Sequence, residues 1–171
     1  ETRTLGDGLL DLAAMPRLRC LDLACCRSPL DFEDVRRRRG DSACEAERRA
    51  AVNGAVVLLT DLKHIETLCL NGIDLYDGTC EFLAELPALK VLDLSRTSIT
   101  NAGVECLQPA PCLRELWLAS TAVDDQAIKT LKAFPALKEV YSGGADIDPP
   151  KFEGTRVRAL DVFWRDSPRE W

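Results

Sequence analysis

The apolar positions of this chain recur in blocks. Leu89, Leu92, Leu94 and Ile99 are answered in the same order by Leu113, Leu116, Leu118 and Val123, and again by Leu137, Val140, Ser142 and Ile147. The offset between blocks is constant, a period of about 24 residues. One period ahead of Leu89 stands Ile65, with Leu68, Leu70 and Leu75 in the matching places. An earlier copy, Leu18, Leu21, Leu23 and Cys26, lies 47 residues ahead of Ile65, one period plus an insertion of about 23. Alternation within each block predicts a short strand whose leucines share one face. Ahead of most strands stand two apolar residues three apart and then a proline: Leu12/Met15/Pro16, Leu83/Leu86/Pro87, Leu107/Ala110/Pro111 and Leu131/Phe134/Pro135. Spacing of three is helical, and proline stops the helix before the next strand. Thr100-Asn101, Asp124-Asp125 and Asp77 are suited to cap the helix starts. Val157, Leu160 and Val162 follow after a spacing of only 20 and predict a last strand, with Phe152 in place of the helix contact.

One such unit cannot bury its own leucines, but a stack of them can. The pattern L-x-x-L-x-L-x-x-T/C-x-I followed by a helix resembles the leucine-rich repeat family. Thr97-Ser-Ile99-Thr-Asn-Ala-Gly103 and Cys26 look most like its cysteine-containing and ribonuclease-inhibitor-like branches. The resemblance covers about residues 5–165 apart from the insertion. It implies an α/β solenoid of five to six repeats of about 24 residues, with a curved parallel sheet on the concave side and helices on the convex side. Ile73 and Ala145 depart from it where a polar residue would bond the turn backbone, and Ser142 replaces a core leucine. Residues 1–171 read as a single domain, 28–50 as a charged insertion in the first repeat, and 148–171 as the last strand and a C-terminal cap. The start at Glu1 and the open first ladder read as an excised fragment or a processed form.

Residues between the leucines point away from the core. The middle outward column is Asp22, Cys69, Asp93, Trp117, Tyr141 and Asp161. The column before it is Cys20, Thr67, Val91, Glu115, Glu139 and Ala159, and the column after it contains Ala24, Asn71, Ser95, Ala119, Gly143 and Phe163. One residue ahead runs a mainly basic row: Arg19, Glu66, Lys90, Arg114, Lys138 and Arg158. Aromatic residues that periodicity turns outward are suited to anchor a partner. Alternatively, a C-terminal segment such as Trp171 folds back over them. The candidate partner-binding set is therefore Trp117, Tyr141 and Phe163 with Asp93, Arg96, Arg114 and Glu115. Six strands present roughly 500 Å² of such surface, against about 800 Å² per partner in a standard interface. An edge loop, the insertion or further repeats would have to contribute.

Composition narrows the functions. The 171 residues include 26 leucines but only 10 aromatic side chains. With 22 basic and 28 acidic residues the net charge is −6, which argues against a bulk nucleic-acid or anionic-membrane binder. The longest uncharged apolar run, Ala55–Leu59, is too short to span a bilayer. The insertion carries 12 charged residues among the 19 of Asp31–Arg49. Its Arg36–Arg39 run reads as a solvated loop or as a site for an acidic segment or phosphate. Ser42-Ala-Cys-Glu45 is a capping-box pattern that predicts a helix from about Ser42 to Leu62.

The single histidine, His64, excludes chemistry that needs two imidazoles. The eight cysteines lack C-x-x-C spacing and read as reduced structural thiols, which favours an intracellular, cytoplasmic setting and no metal or other cofactor. These features predict a non-enzymatic module that presents a concave sheet to a protein or peptide, as part of a scaffold or adaptor. The alternatives are a ubiquitin-ligase substrate receptor or a protein inhibitor of an enzyme. A cysteine-nucleophile enzyme and nucleic-acid binding through Arg36–Arg39 are further readings.

Overall fold

The computed structural model describes residues 17–24, 54, 56–57, 59–153 and 157–160. Six three-residue strands form one parallel sheet in sequence order: β1 (Cys20–Asp22), β2 (Thr67–Cys69), β3 (Val91–Asp93), β4 (Glu115–Trp117), β5 (Glu139–Tyr141) and β6 (Arg158–Leu160). The period sets the register directly. Leu68 pairs with Leu92, Leu92 with Leu116 and Leu116 with Val140. A helix returns the chain between strands: α1 (Cys80–Ala84), α2 (Asn101–Leu107) and α3 (Ile128–Ala133). Their Cys80, Leu83, Val104, Leu107, Ile128 and Leu131 join the inward strand leucines in one buried cluster. An open parallel sheet in sequence order, with helices in its connections and a 3-10 turn (Pro149–Phe152) before β6, is a leucine-rich-repeat-like solenoid.

Local chemistry explains the turns. Thr97 and Thr121 donate their hydroxyls to the carbonyls of Leu94 and Leu118 at 2.6 and 2.7 Å, tying each strand end to its turn. Ile73 and Ala145, at the same place in the repeat, have no hydroxyl to do so. Thr100 caps α2 by accepting from the Ala102 amide, and Asp124 accepts from Gln126 at the 3-10 turn that opens α3. At the end of α3, Phe134 has ψ of 138°, the extended conformation that a following proline requires.

Three expectations change. Asp77 does not cap its own helix. Its two carboxylate oxygens instead accept the amide and hydroxyl of Thr100, each at 2.7 Å, so it clamps one repeat to the next. In the last strand, Arg158 pairs with Glu139, Ala159 with Val140 and Leu160 with Tyr141. The expected alternation there is displaced by one residue, which moves every side chain to the opposite face. Ala159 packs toward the core, and Leu160 takes the outward place assigned to Asp161. The helix before β2 ends at Leu59 and gives way to a turn at Thr60, short of Leu62. The insertion with Arg36–Arg39, the Ser42 capping box, Phe163 and Trp171 lie outside the described residues.

Candidate functional site

The strands place outward side chains in columns with one rung every ~4.8 Å. In the first column Thr67, Val91, Glu115 and Glu139 are half-buried, while Cys20 on the outermost strand is exposed. The middle column differs from expectation. Cys69, Asp93 and Trp117 are 1%, 0% and 0% exposed, and Tyr141 is 9% exposed. Asn71, Ser95 and Ala119 in the next column are also buried. None of Cys69, Asp93, Trp117 or Tyr141 belongs to the leucine cluster. A second buried layer therefore lies on the sheet face turned away from the helices.

That layer is specifically assembled. Trp117 and Tyr141 stand on neighbouring rungs, and their rings stack with centroids 3.7 Å apart and planes 7° apart. The Tyr141 hydroxyl donates to Glu139 Oε2 at 2.6 Å. Asp93 Oδ1 accepts the Ser95 amide at 2.8 Å, as Asp22 does for Ala24. Its Oδ2 lies 3.6 Å from Cys69 Sγ, whose thiol is the donor. The exposure expected of Trp117, Tyr141 and Asp93 is thus corrected: the stacked rings are buried, and both oxygens of Asp93 are engaged within the chain. Arg96 and Arg114 are exposed and Glu115 is half-buried, with Arg114 and Glu115 at the start of β4 and Arg96 beyond the end of β3.

Electrostatics concentrate at the edge where the strands begin. Glu66 is bonded by Arg19 at 3.1 Å and by Lys90 at 2.6 Å. The Lys90 hydrogen bond holds the Glu66 carboxyl below the usual carboxylate range. Arg158 approaches Glu139 at 3.9 Å. A recess of about 600 Å³ at this edge is lined by Arg17, Arg19, His64, Glu66 and Ala88. Exposed His64 stands there as a turn residue.

The cysteines in the described residues are all unpaired: Cys20, Cys69, Cys80, Cys106 and Cys112. Burial pushes the Cys69 thiol up, with the Asp93 carboxylate adding to it, and burial does the same to Cys80. Loss of solvation, then the Glu81 charge, raises Cys106. These three environments oppose thiolate formation. Among the described residues no group of three or more His, Cys, Asp and Glu side chains could hold a metal ion.

One feature escaped the sequence reading. Gly72, Arg96, Ser120 and Gly144 hold one place in successive repeats, and all have positive φ: 74°, 58°, 55° and 74°. Glycines at both ends of this series were the available signal.

No protein-family model and no curated protein matches the chain. Among solved structures it is similar to internalin C2 of Listeria monocytogenes, with 20% identity and a TM-score of 0.45, over 66% of this chain and 54% of that one. It is also similar to the internalin inlF of the same organism, with 15% identity and a TM-score of 0.40, over 63% of this chain and 37% of that one. The match thus spans about half of internalin C2 and less of inlF. The repeat assignment rests on the strand ladder itself.

Proposed function

We propose that this chain is a non-enzymatic protein-interaction module that presents the concave side of its sheet to a protein or peptide, as a segment of a scaffold or adaptor. The observation that carries this reading is the strand ladder. It fixes a column of half-buried side chains, Thr67, Val91, Glu115 and Glu139, at rung spacing beside the exposed guanidinium of Arg114. A rigid ladder orders these groups before a partner arrives, so binding loses little conformational entropy. Of the assigned set, Arg96, Arg114 and Glu115 are the groups with surface to offer. Trp117, Tyr141 and Asp93 belong to the buried layer of the same face. Five unpaired cysteines, two of them deeply buried, support a reducing intracellular setting.

The test is affinity capture from native lysate with quantitative mass spectrometry, comparing the chain with Val91→Glu/Glu115→Lys. Both substitutions alter the half-buried column and leave the leucine core untouched. A protein retained by the first and lost from a folded second, with folding verified by circular dichroism, supports the reading. Equal capture by both removes the sheet face as the site.

A further inference from the structure

Backbone hydrogen bonds link the residues just ahead of the strands into one continuous row. The Glu66 amide donates to Arg19 O, Lys90 to Glu66 O, Arg114 to Lys90 O and Lys138 to Arg114 O, at 2.7–2.8 Å. Four of these five side chains are cationic, and Arg158, which the displaced register of β6 pairs with Glu139, stands one column further on. Glu66 is shared between Arg19 and Lys90, and Glu139 lies near Arg158. Arg114 and Lys138, both exposed, form no ion pair among the described residues. Like charges on adjacent rungs repel, and the parallel ladder needs neither of them for its register. At one end the row opens into the recess of Arg17, Arg19 and His64.

We propose that this row docks an extended, carboxylate-rich segment of a partner protein. The proposal deepens the interaction reading above, and rests on it, by naming the chemistry of the partner. Five rungs at ~4.8 Å span about 19 Å, which an extended chain covers in about six residues. Alternate side chains of such a chain fall on one side, so about three carboxylates face the row. The partner chain runs across the strands, with its first acidic residues in the recess and later ones between Arg114 and Lys138.

A nucleic acid fits less well. Sequence-tolerant binding of a single strand needs exposed aromatic platforms, and here Trp117 and Tyr141 are buried against each other. A duplex needs a broad positive field, whereas this chain carries a net charge of −6. The cations form one narrow line, with Glu115 and Glu139 one residue further along the strands. A peptide satisfies such a line and can direct its intervening side chains elsewhere.

The probe is a fluorescein-labelled decapeptide of alternating Glu and Thr, titrated into the full chain by fluorescence anisotropy. Its Gln-Thr counterpart serves as the uncharged control. The Glu peptide should bind and the Gln peptide should not. Affinity should drop severalfold between about 50 and 300 mM NaCl. Arg114→Glu should weaken binding by about tenfold or more, whereas Lys129→Glu, the same charge change on α3, should alter it less than about twofold. Equal losses for these two variants would reduce the effect to net charge and overturn the proposal. So would absence of binding to the unaltered chain, or tighter binding of oligouridylate lost with the same variant. Val91→Gln alters the sheet face without adding charge beside the row and should retain peptide binding, so the sheet-face reading and this proposal fail separately.

Discussion

Arg96 and Ser120 hold the left-handed conformation that glycine supplies at Gly72 and Gly144. Each amide donates across to the next repeat, Arg96 to Ala119 O at 2.8 Å and Ser120 to Gly143 O at 2.9 Å. The ladder therefore imposes the angle whatever the side chain. A non-glycine residue there costs about 1–2 kcal/mol, partly offset by the entropy glycine would lose. Arg96→Gly should raise stability by about 0.5–1 kcal/mol in urea unfolding, and Gly72→Ala should lower it. A stability loss on Arg96→Gly would show that its side chain contributes more than the strain it carries. The opposite sign holds for Trp117. Its fully buried indole, stacked on Tyr141, makes Trp117→Ala a cavity-forming change of about 3–5 kcal/mol. Near-native stability of that variant would mean that the second layer does not support the fold. Alternation along the strand placed Trp117 on the correct face. It says nothing of what lies against that face, which is why burial of the pair was not legible in the sequence.

Helix α2 can lie close to α1 because residue 103 is glycine. A Cβ at Gly103 would stand 2.6 Å from Asp77 Oδ1, 2.8 Å from Ile99 Cγ2 and 3.2 Å from Cys80 Sγ. The Asp77 carboxylate cannot swing aside without breaking both of its bonds to Thr100. Alanine is the better helix former by about 1 kcal/mol, yet Gly103→Ala should destabilise by about 1–3 kcal/mol, because overpacking of the inter-repeat clamp dominates. Thermal denaturation decides it, since a raised Tm would mean that the two helices part without loss. Asn101 and Asp124 form a similar clamp at the next junction, with Asn101 Nδ2 donating to Asp124 Oδ1 at 2.8 Å and the Asp124 amide to Asn101 Oδ1 at 3.0 Å. These residues were legible as helix caps but not as bridges. A polar side chain at a helix start can cap, bridge or, as Thr100 and Asp124 do, both, and only the distance to the neighbouring repeat decides whether it bridges. The strands from β2 to β5 were legible because a constant period carries the register unaltered. β6 was not, because its shorter connection shifts the alternation by one residue.

A solenoid adds its stability junction by junction, because each strand pairs only with the next. Two of the junctions include a carboxylate held by a lysine of the next repeat, Glu66 just ahead of β2 and Asp125 in the 3-10 turn that opens α3. Lys90 holds Glu66 below its ordinary value of 4.5, and Lys151 holds Asp125 below 3.8 while the Asp148 amide also bonds it. Between the folded and unfolded values the unfolded chain binds more protons, so stability rises with pH through that window. The contribution is complete above the unfolded values and disappears as pH falls through the lower folded ones. Both groups are solvent-accessible and therefore screened, which makes the effect modest and sensitive to salt. Glu66→Gln/Asp125→Asn should lower Tm at pH 6. The difference from the unaltered chain should close as pH drops below about 4, where the native carboxylates have themselves been protonated. A gap that persists unchanged to pH 3 would assign the loss to altered packing instead of charge. Repeating the titration at high salt separates the two further, since screening shrinks an ionic contribution and leaves a packing defect in place.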